Sequence, residues 1–107
     1  MRIITWNINS VRLRINLLEK LALEHNPDVI CLQETKAEDQ HFPLEGIKQI
    51  GFEHVVFAGE KSYNGVAILS KKPIQDSFSL SFYNEDNRHI CAKISDIEIH
   101  NFYVPAG

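Results

Sequence analysis

The stretch Val29-Ile30-Cys31-Leu32, which follows Pro27 and runs straight into Gln33 and Glu34, constrains the fold more than any other part of the chain. A short, unbroken apolar run is the pattern of a strand covered on both faces. Upstream, Arg2 to Trp6 is weakly alternating and rich in β-branched residues, and it predicts a strand that ends at Asn7. Between the two, Ser10 is placed to cap a helix. Val11, Ile15, Leu18 and Ala22 then recur at helical spacing until His25, Asn26 and Pro27 stop it. Strand, helix and strand make a βαβ unit. A right-handed crossover lays its strands parallel, so that Asn7 and Glu34 both emerge at carboxyl ends, where open α/β sheets gather ligands.

After a polar stretch around Glu38 to His41, the sequence predicts a short helix over Pro43 to Ile50 and then a series of strands. These are Phe52 to Phe57, Val66 to Ser70, Ile74 to Leu80, His89 to Ile94 and Ile97 to Tyr103. Asn64-Gly65, Lys72-Pro73 and Ser95-Asp96 supply turns, the last a two-residue hairpin connection, so the second half should be largely antiparallel. The loop Asn84 to Arg88 is the one notable charge cluster, and no repeat or linker divides the chain. The expected class is α/β, in a single domain.

Composition narrows the function. A formal net charge of -3 removes the argument that a strongly basic domain would make for nucleic-acid binding, so any DNA contact must come from local basic residues. Cys31 and Cys91 lie in apolar stretches without a CxxC partner or metal-ligand spacing, and read as buried, reduced thiols of a cytosolic protein. The N-terminus turns polar too soon for a signal peptide. No apolar run approaches the roughly 18 residues of a membrane span, which makes the expected location cytoplasmic, with no membrane partner.

Several side chains carry chemistry. A carboxylate at Glu34, at the end of a buried strand, is costly to desolvate without a cation or hydrogen-bond partners, and it suits magnesium, which prefers hard oxygen ligands. By itself it reads at least as readily as a solvated residue at a loop edge. Asn7 and Asn9 offer amides that can orient a metal ligand or bind a phosphate oxygen, and equally can cap a turn. Tyr103 is either a phenol able to donate to a charged phosphate or an aromatic packed at a strand end. His25, His41, His54, His89 and His100 show no ligand spacing.

The combination is more specific than its parts. Trp6-Asn7-Ile8-Asn9-Ser10-Val11-Arg12 is followed by Leu32-Gln33-Glu34-Thr35-Lys36, then Tyr63 to Lys71, Arg88-His89-Ile90, and Asn101-Phe102-Tyr103-Val104-Pro105-Ala106-Gly107. In order, spacing and βαβ context these strings resemble the exonuclease III and apurinic/apyrimidinic endonuclease family of the endonuclease-exonuclease-phosphatase superfamily.

The resemblance implies a four-layer α/β sandwich, of which residues 1–107 are the N-terminal portion, a mixed β-sheet with flanking helices, the C-terminal half being absent. It implies that Glu34 ligates Mg2+ or Mn2+ with Asn9 beside it, at a position where some members carry aspartate. It implies that Asn7 orients the catalytic centre, that Tyr103 lies near the scissile phosphate, and that Arg12, Lys36 and Arg88 contact the DNA backbone. The expected partner of the intact protein is double-stranded DNA with abasic sites or 3′ ends, cleaved by hydrolysis. The family's Asp-x-Asn and Ser-Asp-His elements have no match here, so the 107 residues are expected to be inactive alone. A non-catalytic domain that binds metal, DNA or a partner chain is the alternative, as is a superfamily phosphodiesterase acting on RNA, phospholipid or inositol phosphate. A sheet made to be sandwiched by another exposes an apolar face when alone, which predicts self-association through that face.

Overall fold

A computed structural model describes residues 1–59, 64–80 and 87–104. Its first elements are the expected βαβ unit: β1 (Ile3–Asn7), α1 (Ile15–His25) and β2 (Val29–Gln33). The two strands are parallel, with Ile3 opposite Val29 and Asn7 opposite Gln33, so they end side by side. β2 is buried from Val29 to Leu32, as its apolar run requires.

Ser10 does not cap α1. Its φ is +87°, and Arg14 occupies the cap position without a side-chain cap bond. The backbone N–H of Ser10 donates to Glu34 O at 2.9 Å and that of Val11 to Thr35 O at 3.0 Å. Pairing between the segments after β1 and β2 thus continues past the strands and delays the helix, while Val11 remains fully buried. The helix stops where the sequence predicts: Asn26 is left-handed (φ 44°, ψ 56°) and its N–H donates to Ala22 O.

A 3-10 turn at Asp39–His41 leads into α2 (Leu44–Ile50), then β3 (His54–Ala58) and β4 (Val66–Ser70). β4 pairs antiparallel with both β2 and β3, giving a mixed sheet of order β1-β2-β4-β3. β5 (Asp76–Phe78), β6 (His89–Ile94) and β7 (Ile97–Phe102) form a second sheet, antiparallel throughout. β5 is shorter than expected, and all of its residues are exposed. Ser95 and Asp96, at φ 52° and 62°, close the β6–β7 hairpin in the primed geometry that matches strand twist. Tyr63, the greater part of the Asn84 to Arg88 charge cluster, and Pro105 to Gly107 lie outside the described residues.

Two apolar cores divide the molecule into three layers. Leu18, Ile47 and Phe52 pack against Ile30, Leu32 and Leu69 on the helical side of the mixed sheet. On its other side, Val29, Cys31, Val66 and Ile68 meet Ile90, Ala92, Ile94 and Ile99 of the second sheet. This corrects the expectation of an uncovered face, because the antiparallel sheet that covers it comes from the same chain. Apolar side chains of the sheets still reach solvent: Ile3 on β1 is 45% exposed, and Phe78, Ile97 and Phe102 on the second sheet are 43%, 50% and 48% exposed. Among the described residues, no helix is long and apolar enough to cross a membrane.

Candidate active site

Backbone hydrogen bonds beyond the strand ends tie five segments together at one edge of the two sheets. Ile8 N–H donates to Gln33 O, Thr35 N–H to Gly65 O, Lys36 N–H to Asn64 O, Gly65 N–H to Asn87 O, and Tyr103 N–H to Arg88 O, all at 2.7–3.2 Å. Forcing the chain into this arrangement places Asn9, Ser10, Glu34, Lys36 and Asn64 at φ between 48° and 87°. Each such residue costs of order 1 kcal/mol or more, a strain that gathers at functional sites. Gly65, at φ +93°, serves the closest approach, since a Cβ there would lie 2.2 Å from Thr35 Oγ1.

Into this edge project the polar side chains. Asn7 Nδ2 donates to Glu34 Oε1 at 3.2 Å. Lys36 Nζ donates to Asn9 Oδ1 at 2.6 Å and lies 3.6 Å from Glu34 Oε2. The neighbouring Tyr103 phenol, then the Asn7 amide, hold the Glu34 carboxyl below the usual carboxylate range, with the Lys36 charge adding to them. Glu34 in turn pushes the Tyr103 phenol up, while the neighbouring Arg88 charge pulls it the other way. Glu34 is therefore ionised and partly exposed, within reach of cations.

The structure thus brings together Asn7, Asn9, Glu34, Lys36 and Tyr103, with Arg88 beside the phenol. Arg12 stands apart in the turn before α1: it is exposed and, among the described residues, makes no hydrogen bond or ion pair. Behind the site lies a pair that sequence reasoning missed. Asn101, 3% exposed, donates through Nδ2 to Leu32 O and Ala67 O, both at 2.9 Å. Gln33 Nε2 donates to Asn101 Oδ1 at 2.7 Å and to Thr5 Oγ1 at 2.9 Å. The signal was available: Asn101 falls in phase with Ile97 and Ile99, at an inward position of an alternating strand.

A second polar cluster has the residue types of a metal centre. Ligand atoms of Cys91, Glu98 and His100 lie within 4.8 Å of one another on the outer face of the second sheet. Its hydrogen bonds give another account. Leu80 N–H donates to His89 Nδ1 at 2.9 Å, so neutral His89 carries its proton on Nε2. Burial, with the neighbouring His100, lowers the His89 pKa and favours that neutral form. Nε2–H then donates to His100 Nδ1 at 3.0 Å, which puts the His100 proton on Nε2, facing Glu98 Oε1 at 3.1 Å. The nitrogen that would meet an ion is protonated, and the group is a hydrogen-bonded chain.

Comparison with known proteins agrees with this fold. A model of the endonuclease/exonuclease/phosphatase family matches residues 4–106. The chain is 36% identical to exodeoxyribonuclease III of Haemophilus influenzae, covering 100% of this chain and 42% of that protein. It is 33% identical to the DNA-(apurinic or apyrimidinic site) endonuclease of Dictyostelium discoideum, covering 98% of this chain and 30% of that one. Among solved structures it resembles an AP endonuclease from Archaeoglobus fulgidus, with a TM-score of 0.89 and 41% identity over 98% of this chain and 41% of that one. It also resembles the 3′ phosphatase NExo from Neisseria, bound to a product DNA hairpin, with a TM-score of 0.90 and 35% identity over 96% of this chain and 41% of that one. The chain therefore spans less than half the length of each of these relatives.

Proposed function

Because the chain belongs to the endonuclease/exonuclease/phosphatase family, we propose that it forms one wall of the phosphodiester-cleaving site of a DNA-repair nuclease. The intact protein would hydrolyse the DNA backbone at abasic sites and trim 3′ ends. The observation that carries this reading is the convergence on one ionised carboxylate, Glu34, of an amide from β1, an ammonium from the loop after β2 and a phenol from the end of β7.

The donor set fits a hard divalent cation. Magnesium takes oxygen ligands, commonly one or two carboxylates with water and substrate phosphate, and manganese shares that preference. Glu34 supplies the charged oxygen. Asn9 Oδ1 faces the same space and already accepts from a cation, the Lys36 ammonium. Glu34 and Asn9 would hold the ion, which when bound supplies a Lewis-acid clamp for a phosphate oxygen. Asn7 fixes the Glu34 carboxylate. Tyr103 stands ready to give its proton to a phosphate oxygen in place of Glu34, and Lys36 and Arg88 attract the DNA backbone, which positions the duplex without reading sequence. Arg12 would extend that contact outward from the turn before α1. The local cations offset the overall charge of -3. Buried, free Cys31 and Cys91 suit a cytoplasmic protein.

In-line attack on a phosphodiester also needs an activated water and help for the leaving oxygen. Asn7 and Asn9 are amides, Glu34 is committed as an ionised hydrogen-bond acceptor, and Lys36 and Arg88 are cations, so the described side chains of this wall include no base for the water. This favours the second reading for the 107 residues taken alone: metal and DNA binding without turnover, with self-association of the isolated chain. A lipid or inositol phosphate substrate is disfavoured, because the similar proteins are named for acting on DNA. A fluorescent duplex with one abasic-site analogue, incubated with magnesium or with EDTA, tests the proposal. The expected result is magnesium-dependent binding that Glu34→Ala weakens, and no cleavage by the isolated chain. Cleavage that resists EDTA would sink the mechanism.

A further inference from the structure

Tyr103 and Glu34 belong to different sheets, and the core between those sheets is apolar as far as Ile99. Apolar contact is non-directional and resists sliding weakly, whereas a hydrogen bond fixes both distance and direction. The next inward residue after Ile99 is Asn101, and the next after that is Tyr103 itself. Asn101 is buried where an aliphatic side chain of the same size would pack without having to satisfy any polar atom. Its amide needs another explanation than filling space.

The bonding is unambiguous. Leu32 O and Ala67 O can only accept, so the atom of Asn101 that meets them both is the amide nitrogen, and its oxygen must face Gln33. The atom of Gln33 in contact with that oxygen is then also its nitrogen, which further donates to Thr5 Oγ1 at 2.9 Å, with Cys31 O a longer acceptor at 3.4 Å. One side chain of β7 therefore grips β2 and β4 at once, and Gln33, the residue before Glu34, carries the link on to β1. Each strand gripped adjoins a loop of the site.

We infer that Asn101 and Gln33 are positioning residues, an inter-sheet clamp that sets Tyr103, two residues further along the same chain segment, beside Glu34. This rests on the nuclease reading for its purpose, but the geometry it predicts is independent of turnover. Neither residue needs to touch the substrate.

The test reads the Tyr103–Glu34 contact directly by fluorine NMR, in the full chain labelled with 3-fluorotyrosine. The chain has 3 tyrosines, and Tyr103→Phe assigns the line. In the otherwise unchanged chain, Glu34→Gln moves the Tyr103 line. In the Asn101→Leu chain the line should move toward that of free tyrosine, and Glu34→Gln should no longer shift it. Ile94→Val, which loosens the same inter-sheet core without touching the amides, should leave the full response to Glu34→Gln. An undiminished response in folded Asn101→Leu would overturn the clamp. Should that chain fail to fold, Gln33→Met, which keeps the length and removes the donor, must at least halve the response, and an unchanged response overturns the clamp as well. Because no cleavage is measured, a failed DNA assay and a failed clamp remain distinguishable.

Discussion

Glu34 combines a left-handed backbone with a carboxylate held ionised by Tyr103 and Asn7. Two consequences belong to this residue. Loss of its charge should lower Mn2+ affinity by about tenfold or more, roughly 1.4 kcal/mol, which the free-ion signal in electron paramagnetic resonance will report for Glu34→Gln. Its lowered pKa also means that the folded state releases the proton more readily than the unfolded state. The resulting stability is present above the unfolded value, about 4.3, and is lost as pH falls through the folded value. Urea midpoints measured across that acid range should fall for the unsubstituted chain and be flatter for Glu34→Gln. Tyr103 has the opposite sign: its pKa is raised, so its contribution is present below about 10 and disappears as pH rises through the folded value. Gly65 is a residue-scale test of the loop packing. Gly65→Ala combines a disfavoured φ with a Cβ 2.2 Å from Thr35 Oγ1, and chemical denaturation should show a loss of about 2 kcal/mol or more.

Elements obey local rules where no loop competes for their backbone groups. Asn26 ends α1 in the left-handed conformation, and its Oδ1 accepts from Lys71 Nζ at 2.7 Å. Asn26→Ala should cost about 1 kcal/mol in thermal or urea unfolding, and Asn26→Gly distinctly less, because only the glycine keeps the backbone unstrained. Such helix stops, the apolar run of β2, and the turn at Ser95-Asp96 were legible because each is written in adjacent residues. The start of α1 was not. The rule for Ser10 assumes free N–H groups, and here the Ser10 and Val11 N–H groups bond to the loop after β2, which no local pattern reports. β5 was overestimated because its alternation suggests a half-buried strand, whereas all three residues are exposed. At the site, Asn7, Glu34 and Tyr103 could be named from their sequence settings, but the Asn101–Gln33 link joins residues 68 apart and only the stacking of two sheets creates it.

At the scale of the whole molecule, the second sheet closes one core and presents a new outer face. Phe78 and Phe102 there, with Ile3 on the open edge strand β1, are each more than two-fifths exposed. We propose that these surfaces drive self-association of the isolated chain. Size-exclusion chromatography at micromolar concentration, with apolar-dye fluorescence, should show a species larger than 12.3 kDa, whereas a monomer that binds no dye rejects the idea. The left-handed residues have a wider consequence, for they fall into two kinds. Asn26, Ser95 and Asp96 lie in helix ends and hairpins, where glycine would relieve the backbone at little cost to anything else. Asn9, Glu34 and Lys36 carry the same strain, together several kcal/mol in a domain whose margin is typically about 5–15, but they hold the chemistry as well. A laboratory selection for heat tolerance alone would therefore drift toward glycine at both kinds of position, and would disarm the protein while appearing to improve it.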